Sequence, residues 1–176
     1  KPPVPLRGLL NSSASYNKLL EAVKEPGVIF VCGSQLSGKT HLIYSLLNEI
    51  SSPDKNIMTI ESITKYNLTN VNQCELNENV GFNMDKASRF IEFQSPDIVY
   101  LEGIKNKETF DYFSELVFDN KVIVMEFLAN NMEDLRNKIS YSDFDTLKSL
   151  ISCLVFIHSQ DSIEVFDRAT AQKYLA

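Results

Sequence analysis

The chain predicts an α/β domain built on a mostly parallel sheet with helices on both faces. Strand-like and helix-like segments alternate along it. The strand-like ones are short continuous apolar runs such as Val28–Cys32 and Cys153–Ile157, the pattern of strands buried on both sides. A glycine-rich eight-residue loop follows the first of them and opens a helix. With 176 residues and 44% hydrophobic content there is chain enough for one core. No repeat or interior linker divides it, so residues 1–14 are expected as a lead-in and 15–176 as one domain.

The first dozen residues are rich in Pro, Ser and Asn, which suits a surface segment. Ser15–Lys24 reads as a helix, with Tyr16, Leu19, Leu20 and Val23 at three-and-four spacing and Pro26-Gly27 to stop it. Val28–Cys32 is the first strand. After Gly33–Thr40 a helix runs to about Ile50, its apolar face made by Leu42, Ile43, Leu46, Leu47 and Ile50. Ile57–Ile60 is strand two. From Glu61 to Val80 the pattern weakens into short pieces, expected as a hairpin excursion. Helical spacing returns over Phe82–Phe93, and Ser95-Pro96 closes it.

Asp97–Leu101 is strand three, Thr109–Phe118 a helix and Val122–Phe127 strand four. Met132–Ile139 and Phe144–Ile151 read as helical, and Cys153–Ile157 as strand five. Ser162–Phe166 is expected as a short edge strand leading into a terminal helix that ends near Tyr174.

Composition narrows the function classes. There are 17 basic and 23 acidic residues, a net charge of −6, and only four of the basic residues are Arg. That is no track for nucleic-acid phosphates, which needs clustered Lys and Arg. The longest apolar runs are five residues, far below the roughly 20 of a membrane helix. The amino end, Lys1-Pro-Pro-Val-Pro, lacks both an initiator Met and the order of a secretory signal and reads as a processed or excised start. Cys32, Cys74 and Cys153 are widely spaced, two of them inside apolar runs, and are expected as buried reduced thiols of a cytoplasmic protein.

Gly33-Ser-Gln-Leu-Ser-Gly38-Lys39-Thr40 matches the phosphate-loop (Walker A) pattern at every constrained position. From the chain's own composition, about 0.002 chance matches are expected, so the match carries information. Glycines let successive N–H groups curl around one hollow, and the helix that follows adds its unsatisfied N–H groups and positive dipole end. Gly33, Ser34, Gln35, Leu36, Ser37, Gly38, Lys39 and Thr40 are therefore the nucleotide-binding candidates, with His41 as a neighbour on the base side or at the helix surface. Lys39 offers a cation to the β- and γ-phosphates of ATP, and the Thr40 hydroxyl a ligand to Mg²⁺.

Hydrolysis needs, in addition, a carboxylate at the carboxyl end of a neighbouring strand, where ligands of parallel sheets sit. Glu102, after strand three, and Glu61, after strand two, are the catalytic candidates, against the plainer reading of solvated strand-end acids. Asp97 begins its strand, at the wrong end, and reads as a turn residue. Glu126 also ends a strand but nothing in its context singles it out. His41 and His158 have no nucleophile or metal partner at sensible spacing.

Read in order, these segments resemble the type II/type IV secretion and pilus motor ATPase family. Pro26–Val31 leading to Gly38-Lys39-Thr40 looks like that family's entry into its nucleotide loop, and Thr59-Ile60-Glu61 like the start of its acidic box. Val71-Asn72-Gln73 followed by Gly81-Phe82 resembles its Asn-Gln strand and the helix after it. Ser95-Pro96-Asp97-Ile98-Val99-Tyr100-Leu101 is similar to the segment before its catalytic Glu, and Lys107-Glu108-Thr109 stands where it has Leu-Glu-Thr. The resemblance implies a RecA-like domain that binds Mg-ATP, works in a homo-hexamer or docks on a pilus or secretion motor, and sits at an inner-membrane complex without inserting in it.

Three boxes depart from the family. Its Gly-Glu is here Glu102-Gly103, its acids after the first Glu are here Ser62-Ile63-Thr64, and its Thr-Leu-His is here Glu126-Phe127-Leu128. Its Arg-rich segment is here Ile104-Lys105-Asn106, and its amino-terminal domain, which completes a neighbour's site, has no counterpart in this chain. These departures imply either an ATPase of weak turnover, with Glu102 orienting water and Glu61 assisting, or a degenerate nucleotide-binding scaffold subunit. A small-molecule kinase would need an Arg-rich lid, which four scattered Arg do not supply.

Overall fold

In the computed structural model, which describes residues 2–103, 115–117, 119–140 and 145–175, the first apolar run is the middle of a seven-residue strand, β1 (Gly27–Gly33), buried along its whole length. Four more strands run parallel in one sheet with it: β2 (Ile57–Glu61), β4 (Ile98–Leu101), β5 (Val122–Leu128) and β6 (Ile151–Ser159). A sixth parallel strand, β3 (Val71–Glu75), lies outside β2, and β7 (Ser162–Asp167) closes the other edge antiparallel to β6. The order is β3-β2-β4-β5-β1-β6-β7.

Alternation along the strands sorts the core into two layers. Ile29 and Val31 of β1, Tyr100 of β4 and Val155 of β6 face the layer that holds α1 (Ser13–Ala22) and α2 (Lys39–Ile50). Phe30 and Cys32, Val99 and Leu101, and Phe156 face the layer of α3 (Met84–Gln94), α4 (Met132–Ser140) and α6 (Arg168–Leu175), with α5 (Asp145–Leu150) just before β6. Helices thus cover both faces, as the strand runs imply.

Local chemistry sets the helix ends. The Ser12 hydroxyl accepts the Ser15 N–H at 3.0 Å, so α1 begins two residues before its expected start. Asn83 caps α3 through the Lys86 N–H, and Ser95 ends it in the left-handed region at φ 45°. Asp97 sits at the amino end of β4, where its carboxylate accepts the Asn56 N–H at 2.9 Å, in keeping with a turn residue.

Two expectations are corrected. Residues 61–80 are no hairpin: Val71–Glu75 pairs parallel to β2, and the preceding loop crosses over to it. The Gln73 side chain holds that loop, accepting the Leu68 N–H at 2.8 Å and donating to the Tyr66 carbonyl at 2.8 Å, while Leu68 is buried beneath. The amino-terminal stretch is packed rather than superficial, because Leu6 is fully buried and Leu10 nearly so, around a short 3₁₀ turn at Leu6–Gly8. The expected Thr109–Phe118 helix lies mostly outside the described residues; 115–117 are helical, with Leu116 and Val117 buried. Cys32 and Cys153 are buried and Cys74 half-buried, all with free thiols. Among the described residues no helix is long and apolar enough to cross a membrane.

Candidate functional site

The eight-residue loop leaves β1 at the carboxyl edge of the sheet and enters α2 at Gly38. A Cβ at Gly33 would stand 2.5 Å from Ser37 Oγ and 2.7 Å from the Ile157 carbonyl, so the loop can close down on β1 and β6 only over a glycine. Gly38, at φ +100°, turns the chain into the helix in a conformation that L side chains rarely adopt. No side chain caps α2, so its first N–H groups face the loop's hollow without a side-chain acceptor. Leu36, also left-handed at φ 63°, holds its apolar side chain 93% exposed at the loop tip.

Within the loop Lys39 folds back on the backbone it follows. Its Nζ donates to the carbonyls of Ser34 at 2.7 Å and Gly33 at 3.1 Å. Partial burial pulls its pKa below the ordinary lysine value, and the Glu126 carboxylate, then the Cys32 sulfur, push the other way. Ser37 Oγ is buried and has no hydrogen-bond partner among the described residues, a cost that an incoming acceptor or donor would remove. Thr40 and His41 follow in the first turn of α2, both half-buried.

The acids gather on the same side. Glu61, the last residue of β2, is fully buried with both carboxylate oxygens engaged: Thr59 Oγ1 donates to Oε1 at 2.6 Å and Tyr44 Oη of α2 donates to Oε2. Burial raises its pKa above the ordinary carboxylate value, the two hydroxyls oppose that, and the neighbouring charge of Glu102 adds to it. Glu102 follows β4, whose Leu101 pairs with Ile60, and its Oε2 accepts the Ser62 N–H at 2.5 Å. The carboxylate is thereby re-aimed across the end of β2, where a cap on a backbone amide replaces free projection from the strand. Glu126 of β5 pairs in register with Val31, two residues before the loop, and accepts from Tyr100 Oη at 2.9 Å. Burial and that carboxylate push the Tyr100 hydroxyl far above the ordinary tyrosine range.

A groove of about 480 Å³ opens beside the loop, lined by Leu36, Gly38, Lys39, Thr40, His41, Lys65 and Tyr66. Tyr66 Oη lies 3.1 Å from His41 Nδ1, and the Tyr66 ring packs on Tyr44 at 5.2 Å between centroids. His41 is therefore a wall of the groove, tied to the crossing loop. His158, by contrast, is on the β6–β7 hairpin, paired with Glu164 at 2.6 Å.

Sequence reasoning had Lys39, Thr40, His41, Glu61 and Glu102 at this edge of the sheet, and the structure brings them there. It undervalued Glu126, because the charge of an acid in β5 on Lys39 follows from β5 lying directly against β1, which no local pattern announces. Tyr44 was hidden inside an apolar helix face, although a tyrosine among five aliphatic residues signals a hydroxyl that needs a buried partner. Lys65 and Tyr66 carried no signal at all.

Residues 5–115 match the family described as "Type II/IV secretion system protein". The chain is 36% identical to the type II secretion system protein E of Aeromonas hydrophila over 105 residues, 59% of this chain and 21% of that protein. It is 26% identical to the protein E of Xanthomonas campestris over 162 residues, 92% of this chain and 28% of the relative. The chain thus spans less than a third of these relatives. Among solved structures, the pilus retraction motor PilT with bound ADP aligns at a TM-score of 0.77 and 18% identity, covering 97% of this chain and 56% of PilT. The VirB11 ATPase of Brucella suis in complex with sulphate aligns at 0.70 and 20% identity, covering 99% and 59%. These likenesses give the fold, that of the RecA-like secretion and pilus ATPases, and with the match over residues 5–115 the chain belongs to the type II/IV secretion system protein family.

Proposed function

We propose that the chain binds ATP through the Gly33–Thr40 loop, as the nucleotide-binding domain of a secretion or pilus motor-type protein. The observation that carries this is the loop itself: a glycine that admits Ser37 against β1, a Lys39 ammonium held over the hollow by two loop carbonyls, and a buried Ser37 hydroxyl without a partner. A polyphosphate would exchange the carbonyls for oxyanions around Lys39, accept from the first N–H groups of α2, and satisfy Ser37. Gly33, Ser34, Gln35, Leu36 and Gly38 supply the backbone of the cradle, and His41 a side wall.

The residues fit Mg²⁺ as that loop type requires. The Thr40 hydroxyl, in the first turn of α2 directly after Lys39, would hold the ion together with the phosphates themselves. Bound there it would neutralise charge on the phosphate oxygens. Glu102 and Glu61, at the ends of β4 and β2, and Glu126, two residues before the end of β5, are the bases available to orient water.

A second reading is favoured by one observation. Glu61 has both oxygens satisfied by hydroxyls, and Glu102 is committed to the Ser62 N–H. Acids so engaged suit a domain that binds ATP and turns it over weakly or not at all, acting as a nucleotide-dependent scaffold on a cytoplasmic, hexameric motor at an inner-membrane complex.

Titration with fluorescent ATP alongside phosphate release from Mg-ATP tests both. Lys39→Ala should abolish binding; unchanged affinity would overturn the nucleotide reading. Turnover that disappears in Glu102→Gln would remove the scaffold reading, and binding without turnover at any protein concentration, including after a ring-forming partner is supplied, would favour it.

A further inference from the structure

Lys65 lines the groove beside the loop together with Lys39, on a segment tied to the very helix that carries Lys39 and Thr40. Two bonds tie it to that helix and a third to β3. The Lys65 N–H donates to Tyr44 Oη at 3.0 Å, Tyr66 Oη meets His41 Nδ1 at 3.1 Å, and Gln73 Nε2 donates to the Tyr66 carbonyl at 2.8 Å. Tyr44 and His41 belong to α2, so the backbone of 65–66 cannot drift from the loop without breaking contacts to the helix.

The side chain is treated differently from its backbone. Lys65 is exposed, and among the described residues no acid lies within salt-bridge distance of its ammonium. It also borders a second groove with Glu75, but the Glu75 carboxylate is held by the Thr64 N–H at 2.9 Å. A cation on an anchored backbone, without an anion of its own, is placed to meet one that arrives.

Its position says which part of a nucleotide it would meet. The Tyr44 hydroxyl that holds the Lys65 N–H also holds Glu61, at the carboxyl ends of β2 and β4. That is the side of the loop on which the acids lie, where the terminal phosphate of a triphosphate points and water would attack.

Resting on the nucleotide reading above, we propose that Lys65 is a second phosphate-facing cation, supplied from within the chain, which makes the site prefer a nucleoside triphosphate over the diphosphate. Lys39 serves both nucleotides, because it reaches the β-phosphate; Lys65 adds attraction chiefly for the terminal group and its extra charge. Being exposed, it acts through a screened interaction of modest size, so the preference weakens as salt rises.

The test compares N-methylanthraniloyl ATP and ADP, titrated against the wild-type chain, Lys65→Glu, Lys65→Arg and Lys39→Ala, with thermal melts to show that each is folded. The expected result is a loss of about tenfold in ATP affinity for Lys65→Glu, less than about threefold in ADP affinity, and near-wild-type behaviour for Lys65→Arg. Equal changes for the two nucleotides, or no change, with Lys39→Ala still unable to bind, would overturn the role of Lys65 and leave the loop reading standing. Wild-type binding that Lys39→Ala leaves intact would overturn both.

Discussion

Tyr44 Oη stands between Glu61 and Lys65, donating to the buried carboxylate and accepting the Lys65 N–H at 3.0 Å. One hydroxyl thus links the helix that follows the phosphate loop to the end of β2 and to the crossing loop beyond it. Tyr44→Phe keeps the ring in the core but leaves a carboxylate oxygen and a backbone N–H short of a partner. A buried group left unsatisfied costs about 1–3 kcal/mol, so urea denaturation should show a loss of that order with the m-value unchanged. An unaltered midpoint would mean that water replaces the hydroxyl and that the link is not structural.

Glu61 gives the fold a pH dependence of defined sign. Its pKa in the folded chain is raised above the ordinary value of 4.5, chiefly by burial, so over the window from 4.5 up to that raised value the folded state holds more of this proton than the unfolded state. Stability from this group is therefore fully present below 4.5 and falls as pH rises through the window. Glu61→Gln removes the ionisation while keeping an oxygen for Tyr44 or Thr59. Melts from pH 4 to 8 should show a flatter decline for the variant and a melting temperature at pH 7 equal to or above wild type. A steeper decline would mean that ionised Glu61 stabilises the fold.

Ser37 presents the opposite case, a buried hydroxyl that stabilises nothing in the free chain because it has no partner. Ser37→Ala should be neutral or slightly stabilising without nucleotide, since an unsatisfied buried polar group is removed. The same change should reduce the upward shift in melting temperature that Mg-ATP produces, because the bound state loses a hydrogen bond that the free state never had. A variant that melts several degrees lower without ligand would show that the hydroxyl has a structural partner.

How much of this was legible in the chain depended on how far each feature reached. The parallel sheet and the phosphate loop declare themselves within single segments, as unbroken apolar strands and a fixed spacing of Gly33, Gly38, Lys39 and Thr40. The placement of Glu61 and Glu102 beside them needed only the rule that parallel strands end on one edge. The strand at Val71–Gln73 was legible only through the family resemblance, because β3 is an edge strand of half-buried and exposed residues, and its parallel pairing with β2, where a hairpin was expected, had no local sign. Leu6 and Leu10 were masked by their prolines and serines, although two leucines four apart could have marked a packed turn. The shared hydroxyl of Tyr44 and the tie from Tyr66 to His41 join residues 17 to 25 positions apart, and a single chain carries no sign of such pairs.

Glu126 lies inside β5, two residues before its end, and its charge acts on Lys39 where β5 lies against β1. Burial lowers the Lys39 pKa and the Glu126 carboxylate opposes that, so removing the negative charge should lower it further. Glu126→Gln keeps a carbonyl oxygen for Tyr100 and so preserves the packing that a shorter residue would disturb. The ammonium of Lys39 is the form that attracts phosphate, so ATP affinity followed from pH 7 to 10 should begin its alkaline decline at lower pH in Glu126→Gln than in wild type. Glu102→Gln is the control: its carboxylate is committed to the Ser62 N–H and is not among the groups that shift Lys39, so its alkaline limb should overlay that of wild type. Coincident curves for all three proteins would show that Glu126 does not set the charge of the loop lysine. An equal displacement in both variants would mean that the acids act on Lys39 as one pooled field, with no privileged role for the strand next to the loop.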